Sequence, residues 1–298
     1  MTLGPVQKDP VMLTGLIGRG IAQSRSPAMH MAEAEAQGLR SVYRLLDAET
    51  CEQSLSDLLL FAETATFRGL NVTYPFKSEV IPMLDDISGN ARAVGAVNTI
   101  VFRDGKRHGH NTDLWGFAES VRQGLAGATR TNVLLIGAGG AGAAVAHALA
   151  DTGASIISIH DEDPARAAAL CRRVGENRPG IKARMIPDLA EFIASETPDG
   201  IVNATPVGMA KMPGSAFPLD LLRPEMWVAD IVYFPLETEL LRAARHRGCR
   251  VLPGSGMAVF QAVRAFELFT GRPADPDRMK ATFEAFDKTP AAAGPKNT

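Results

Sequence analysis

One stretch, residues 132–163, constrains the fold of this chain more than any other. It reads NVLLIGAGGAGAAVAHALADTGASIISIHDED. An apolar run at 132–136 leads into Gly137-Ala138-Gly139-Gly140-Ala141-Gly142, a complete Gly-x-Gly-x-x-Gly. Small residues at 143–151 have the character of a helix, and a second apolar run at 155–159 leads to the acidic cluster Asp161-Glu162-Asp163. Alone, the glycines would fit an alanine-rich helix after a flexible turn. Set between strand and helix, with Asp161 about 20 residues further on, they form the fingerprint of a βαβ unit that binds a dinucleotide. Gly137 permits the tight turn, Gly139 lets backbone approach a pyrophosphate, and Gly142 lets the helix pack on the strand. The helix start then offers free N–H groups and partial positive charge to the phosphates.

A chain of 298 residues can hold two domains, each with its own core. A net charge of −2 provides no electrostatic footprint for nucleic acid or an anionic membrane. Cys51, Cys171 and Cys249 lack metal-ligand spacing and leave an odd thiol in any disulfide scheme, as suits a reducing cytoplasm. The opening MTLGPVQKDP lacks the layout of a secretion signal, and no apolar run approaches the roughly 18 residues of a membrane span. The expectation is a cytoplasmic protein, monomer or homodimer, that acts on a small molecule. The tail after Lys288, TPAAAGPKNT, has the composition of a disordered end.

The remaining pattern alternates strands and helices, as in an α/β protein with a parallel sheet. Strands are expected at 12–17, 41–46, 69–72 and 96–102, with helices from Ser26-Pro27 to Gly38, at 51–65, at 85–94 and at 114–124. Arg103-Asp104-Gly105-Lys106 signals a hairpin. Ser26 can serve as an N-cap with Pro27 at the first helical position, which explains it without a ligand; Ser24 has no such structural excuse. Pro75 is expected to open a helix that projects Lys77 over the C-terminal edge of a sheet, where open α/β sheets bind ligands. Lys77 can equally be a solvated surface lysine, and Asp113 a helix N-cap.

After the fingerprint come strands at 181–186, 200–204, 227–232 and 250–252, with helices at 188–195 and 236–247. Thr205-Pro206-Val207-Gly208 makes a rigid turn that could lie along the cofactor. Gly254-Ser255-Gly256 is expected to break the chain before a long helix at 257–269 that carries Gln261, and 273–286 forms a terminal helix. The long helix can cross back to the first domain. The domains are then 1–124 with 254–288, and 125–253, followed by the tail 289–298.

The quoted motifs are specific enough to carry a family resemblance. Ser24-Arg25-Ser26-Pro27, Asn71-Val72-Thr73-Tyr74-Pro75-Phe76-Lys77, Gly95-Ala96-Val97-Asn98-Thr99, Asn111-Thr112-Asp113, the glycine loop, Asn203-Ala204-Thr205-Pro206 and Gly256-Met257 with Gln261 follow one another in family order. Across residues 11–287 the chain resembles the shikimate dehydrogenases, and within them the quinate/shikimate branch. The resemblance implies that Lys77 and Asp113 are the catalytic pair. It implies substrate contacts from Ser24, Ser26, Thr73, Asn98, Tyr233 and Gln261. Met257 would lie near the nicotinamide, with Gly256 beside it, and Thr205, Pro206 and Val207 along the cofactor. Tyr74 stands where a small aliphatic is usual in the family, and Leu114 where glycine is usual; the latter departure occurs in the quinate/shikimate branch.

Oxidation of a secondary alcohol by hydride loss needs a nicotinamide over the carbinol carbon and a group that takes the hydroxyl proton. A lysine beside a carboxylate in a closed cleft can do this. Desolvation lowers a lysine pKa and a neighbouring Asp raises it, so either form can rest in the site. Lys77 alone or the pair can move the proton. The six histidines and three cysteines form no ligand cluster, so no metal is implied.

Family members that use NADP resemble one another in carrying Asn-Arg-Thr or Asn-Arg-Ser where, aligned on Arg166, this chain has Asp161-Glu162-Asp163. Asp161 is placed to accept the ribose hydroxyls of NAD; alternatively, the acids simply cap the helix opened by Pro164, a role that suits Asp163 and leaves Asp161 free. NAD is therefore the expected cofactor. Serine at Ser26 is the ordinary choice of shikimate enzymes, whereas threonine occurs in the quinate/shikimate branch; shikimate is expected to be preferred to quinate. An amino-substituted shikimate is a rival substrate. An idle NAD-binding regulator on the same fold is a rival function, but a dead copy should have lost Lys77 or Asp113.

Overall fold

The computed structural model describes residues 11–51 and 53–288. The opening decapeptide and the tail after Lys288, with the expectations made for them, lie outside the described residues.

The first sheet has the strand order β2-β1-β3-β5-β6-β4. Its strands are β1 (Met12–Gly18), β2 (Ser41–Asp47), β3 (Gly69–Val72), β4 (Asp86–Ile87), β5 (Thr99–Arg103) and β6 (Lys106–His110). β1 pairs in parallel with β2 and β3, and β5 runs antiparallel between β3 and β6. The turn between β5 and β6 holds Asp104 at φ 54 and Gly105 at φ 68, the paired left-handed residues of a tight hairpin. The helices of this lobe are α1 (Ser26–Ala36), α2 (Leu55–Thr64), α3 (Gly89–Val94) and α4 (Thr112–Gly124).

The second sheet is all parallel, in the order β12-β11-β10-β7-β8-β9. It contains β7 (Asn132–Ile136), β8 (Ile156–His160), β9 (Lys182–Met185), β10 (Gly200–Asn203), β11 (Trp227–Asp230) and β12 (Arg250–Leu252). Helices α5 (Gly140–Asp151), α6 (Pro164–Asn177), α7 (Leu189–Ser195) and α8 (Glu239–His246) connect the strands. Both faces of β7 are covered, which is why Val133 to Ile136 is an unbroken buried apolar run. The strand order reverses between β7 and β10, and their C-terminal ends open the crevice in which doubly wound sheets bind ligands.

The chain then returns to the first lobe. Helix α9 (Ser255–Thr270) lies along α4, and α10 (Pro276–Lys288) packs on α1. Met29 and Ala34 of α1 share one core with Val259, Val263 and Phe266 of α9 and with Met279 and Phe283 of α10. Burial of Phe266 and Phe283 contributes about 1.5–3 kcal/mol each, enough to hold both ends of the chain together.

Several local expectations are corrected. Residues after Pro75 form turns rather than a helix, because the Lys77 carbonyl accepts the Val97 N–H at 2.7 Å and so is withdrawn from a helical ladder. The helix expected at 85–94 begins only at Gly89; Asp85 and Ser88 instead donate their N–H groups to Arg107 and Gly109 at the edge of the sheet. Helices α2, α8 and α10 begin at Leu55, Glu239 and Pro276, later than the sequence suggested; Ser54 and Thr238 cap the first two. Gly254-Ser255-Gly256 does not break the chain, since α9 starts at Ser255. These glycines serve close approach: a side chain at Gly254 would strike the Ile231 carbonyl, and one at Gly256 would strike Ser120.

Candidate active site

Lys77 and Asp113 come from different elements and meet. Lys77 Nζ lies 2.6 Å from Asp113 Oδ2, with the lysine side chain 24% exposed and the carboxylate 9% exposed. Asp113 does not cap its helix. That position belongs to Asn111, whose Oδ1 accepts the Leu114 N–H at 3.0 Å. Asp113 is thereby left in the first turn of α4, where the helix dipole favours an anion and no backbone group competes with the lysine.

Asn98 fixes the approach to Asp113. It is 3% exposed; its Oδ1 accepts the Thr112 N–H at 2.7 Å, and its Nδ2 donates to Thr112 Oγ1 at 3.0 Å. One Nδ2 hydrogen remains for a ligand. Thr73 is half-buried at the end of β3, its N–H bonded to the Ile17 carbonyl at 2.9 Å.

Ser24 sits in the loop between β1 and α1, and Ser26 is the first residue of α1. The carboxylate of Asp47 holds that loop by accepting the N–H groups of Gly20 and Ile21, each at 3.0 Å. Ser26 has no capping hydrogen bond; Arg25 occupies the N-cap position without a side-chain cap, so the structural excuse for Ser26 disappears. Ser24 Oγ accepts the Ser26 N–H at 3.3 Å, and both serines are half-buried.

From the second lobe, the loop after β11 carries Tyr233, which is 48% exposed. Partial burial raises its phenol above the ordinary value; Lys77 opposes that shift and Asp113 adds to it. Its ring packs edge-on against Phe283 of α10 at 6.1 Å, and Arg25 lies over Phe234 at 5.8 Å. Gln261 and Met257 project from α9, which is held close to α4 because Gly116 has no side chain: a Cβ there would come 2.7 Å from the Gln261 nitrogen. Gln261 Nε2 donates to its own helix at Ala258 O, 3.0 Å away.

The glycine loop forms a cradle. Gly137 has φ +102, and a Cβ on it would lie 2.8 Å from the Ala204 carbonyl; Gly142 has room for none against the Gly137 carbonyl. Gly139 and Gly140 face open space, and Gly139, the N-cap of α5, provides no side-chain cap, so the N–H groups of the first turn, Gly140 to Gly142, are available. These residues fit a pyrophosphate.

Asp161 is not free. Its Oδ2 accepts the Ala138 N–H at 2.7 Å and its Oδ1 the Asp163 N–H at 2.9 Å, which ties the end of β8 to the glycine loop. A carboxylate has about four acceptor sites, so two remain for ribose hydroxyls. Asp163 caps α6 through the Ala165 N–H at 2.9 Å, and the 67% exposed Arg166 side chain lies 3.5 Å from it as an ion pair.

Opposite the loop, Asn203 Oδ1 accepts the Thr205 N–H at 3.0 Å and its hydroxyl at 2.7 Å, while Nδ2 donates to Val207 O at 2.9 Å; this folds the Thr205-Pro206-Val207 turn. The sequence reading missed what orients Asn203. Its Nδ2 also donates to Asp230 Oδ1 at 3.0 Å, and Asp230 accepts the Thr238 hydroxyl at 2.7 Å and the Val232 N–H at 3.0 Å. An acid ending the apolar run Trp227-Val228-Ala229 was the only available signal.

Burial raises the Asp230 carboxyl from its ordinary value to about 6, despite those donors. A carboxyl raised in the folded state binds its proton more tightly there than in the unfolded chain. Stability therefore falls as pH climbs from about 4 through about 6, by on the order of 3 kcal/mol. Urea unfolding across that range should show Asp230→Asn without this component of the slope. Identical pH slopes in the variant and the wild type would contradict it.

Among the described residues, no three His, Cys, Asp or Glu side chains come together as a metal site, and no helix is long and apolar enough to cross a membrane.

Comparison with known proteins decides the family. Residues 16–100 match the shikimate dehydrogenase substrate binding domain, and 254–282 match the shikimate 5'-dehydrogenase C-terminal domain. The chain is 49% identical over 281 residues to a quinate/shikimate dehydrogenase (NAD(+)) of Corynebacterium efficiens, covering 91% of this chain and 97% of that protein. It belongs to the shikimate dehydrogenase family. Another member, a shikimate dehydrogenase (NADP(+)) of Streptomyces avermitilis, is 51% identical over 90% of this chain and 94% of its own length. The fold agrees with that of quinate dehydrogenase from Corynebacterium glutamicum in complex with NAD, at a TM-score of 0.87 and 45% identity over 92% of this chain and 99% of that one. Shikimate dehydrogenase relatives this similar thus carry either cofactor in their names.

Proposed function

We propose that the chain is an NAD-dependent dehydrogenase that interconverts shikimate and 3-dehydroshikimate and, less efficiently, quinate and 3-dehydroquinate. The observation that carries this reading is the Lys77–Asp113 contact of 2.6 Å, made between the turn after β3 and the first turn of α4. Family membership supports the same chemistry. Residues 1–124 and 254–288 serve the substrate, and residues 125–253 the cofactor. The three thiols Cys51, Cys171 and Cys249 are all free, which suits work in a reducing cytoplasm.

In this reading Ser24 and Ser26 receive the substrate carboxylate. Thr73, Asn98, Tyr233 and Gln261 engage the ring hydroxyls; a polyol needs several such donors and acceptors. Lys77 takes the hydroxyl proton as the carbinol C–H bond breaks, and Asp113 fixes the Nζ and stabilises its positive charge. Gly137 to Gly142 hold the pyrophosphate, Asp161 the ribose, and Thr205 to Val207 with Gly256 and Met257 the nicotinamide side. A bound nicotinamide supplies the hydride acceptor. The reaction balances as one alcohol and one NAD giving one ketone, one NADH and one proton.

Shikimate is flat around its ring double bond, whereas quinate is saturated and carries an additional hydroxyl at the carboxylate-bearing carbon. With serine at Ser26, kcat/KM at saturating NAD should be higher for shikimate than for quinate. A clearly higher value for quinate would overturn the preference assigned to Ser26.

A further inference from the structure

At the C-terminal edge of the second sheet, one buried carboxylate is shared by two loops that the proposed function assigns to different ligands. Asn203 ends β10 and Asp230 ends β11, and the two are register partners on adjacent parallel strands. Both are buried, and their side chains meet through the 3.0 Å bond from Asn203 Nδ2 to Asp230 Oδ1. Asn203 spends the rest of its amide on the cofactor turn: Nδ2 also donates to Val207 O, and Oδ1 accepts the Thr205 N–H and hydroxyl.

The same oxygen of Asp230 serves the second loop. Oδ1 accepts the Val232 N–H at 3.0 Å, and Val232 directly precedes Tyr233. The other oxygen, Oδ2, accepts the Thr238 hydroxyl at 2.7 Å, and that hydroxyl oxygen caps α8 by accepting the Leu241 N–H. Asp230 is therefore anchored to α8 on one side and holds a loop with each of its two remaining bonds. A buried network with its donors paired in this way rigidifies every group it joins.

We propose that Asp230 is a positioning residue for both ligands at once: its Oδ1 sets the cofactor turn through Asn203 and the substrate tyrosine through the Val232 N–H. This rests on the reading above that Thr205 to Val207 lie along the cofactor and that Tyr233 engages the substrate. Asp230 touches neither ligand; it acts only through the two loops.

The test measures KM for NAD and for shikimate, each with the other saturating, in a set of variants. Asp230→Ala should raise both KM values by about 3- to 10-fold, the size of one lost hydrogen bond in each arm. Asn203→Ala cuts only the cofactor arm and should raise KM for NAD alone; Tyr233→Phe should raise KM for shikimate alone. Asp230→Ala added to Asn203→Ala should then raise KM for NAD by less than about 1.5-fold further, and added to Tyr233→Phe it should do as little to KM for shikimate. A rise in just one KM, or full increases in both backgrounds, would overturn the shared role while leaving the turn and the tyrosine at their ligands. If Asn203→Ala leaves KM for NAD unchanged, or Tyr233→Phe leaves KM for shikimate unchanged, the reading of that loop fails and the proposal with it. Asp230→Asn separates positioning from a damaged fold, since its oxygen still accepts from Asn203 and Val232 and its amide can donate to the Thr238 oxygen. Both KM values within about twofold of the wild type support the proposal, and values as high as in Asp230→Ala overturn it. If Asp230→Ala does not fold, α-hydroxyisovaleric acid in place of Val232 decides, because the ester removes that one N–H and keeps every side chain. It should raise KM for shikimate by about 3- to 10-fold, and an unchanged KM would contradict the proposal.

Discussion

Lys77→Ala should lower kcat for shikimate oxidation by about 10²- to 10⁴-fold while KM changes far less. Removing a proton-transfer group costs the transition state more than the bound ground state, so the loss appears in kcat. The surroundings make the prediction sharp. Lys77 lies on a turn anchored to the sheet through the Val97 N–H, and the backbone should not move when its side chain is cut back. Asp113→Asn should also slow the reaction, because the amide cannot supply the charge that balances Nζ. It should additionally weaken substrate binding if Asp113 contacts a ring hydroxyl. A Lys77→Ala enzyme within about threefold of the wild-type kcat would remove Lys77 from the chemistry, provided chemistry limits the wild-type rate.

NAD should be preferred to NADP by about 10²- to 10³-fold in kcat/KM. An adenosine 2′-phosphate would meet Glu162 at the end of β8, and the guanidinium of Arg166 is paired with Asp163; Arg166 and Arg172 could soften the preference only by swinging their side chains towards the phosphate. The missing charge-assisted hydrogen bonds are worth about 1.5–3 kcal/mol. Repulsion from a carboxylate about 4 Å away adds roughly 1 kcal/mol even in water-like dielectric. Together these give about 2.5–4 kcal/mol, which sets the range. The variant Asp161→Asn, Glu162→Arg, Asp163→Thr should move the preference towards NADP. Its design respects the structure: the asparagine that replaces Asp161 keeps an oxygen for the Ala138 N–H, and the threonine that replaces Asp163 keeps a cap for α6. Equal efficiency with NADP in the wild type, or no shift in the variant, would show that the acidic cluster does not select the cofactor. The 51% identity to a shikimate dehydrogenase (NADP(+)) makes this comparison informative, since overall similarity does not settle the choice.

The two sheets were legible in the sequence wherever a local pattern carries the structure. The apolar run, glycine turn and small-residue helix at 132–151 became β7, its loop and α5, and Asp104-Gly105 became the hairpin. What was not legible depended on partners distant in sequence. Pro75 suggested a helix start, but Val97 claims the Lys77 carbonyl. Ser26 suggested a cap, yet Arg25 holds the N-cap position and no side chain caps α1; Asp113 suggested another, yet Asn111 fills that place. Asp161 was expected to be free of helix capping, and Asp163 does cap α6; that Asp161 also holds Ala138 across the loop was not foreseen. Asp230 escaped notice altogether, because it follows an ordinary strand pattern and its role in folding the Thr205-Pro206-Val207 turn appears only when side chains from other elements close around it. Sequence spacing pointed to the chemistry-bearing residues; their orientation is set by buried hydrogen bonds that spacing does not encode.

Everything proposed for this cleft depends on its removing a hydride from a ring carbinol of shikimate and delivering it to NAD. That transfer is tested with shikimate deuterated at the carbinol carbon to be oxidised, incubated with the wild-type enzyme and NAD, with both products followed by NMR. The expected products are 3-dehydroshikimate and singly deuterated NADH in equal amounts. No reduced cofactor from shikimate or quinate, with either NAD or NADP, would contradict the proposed reaction.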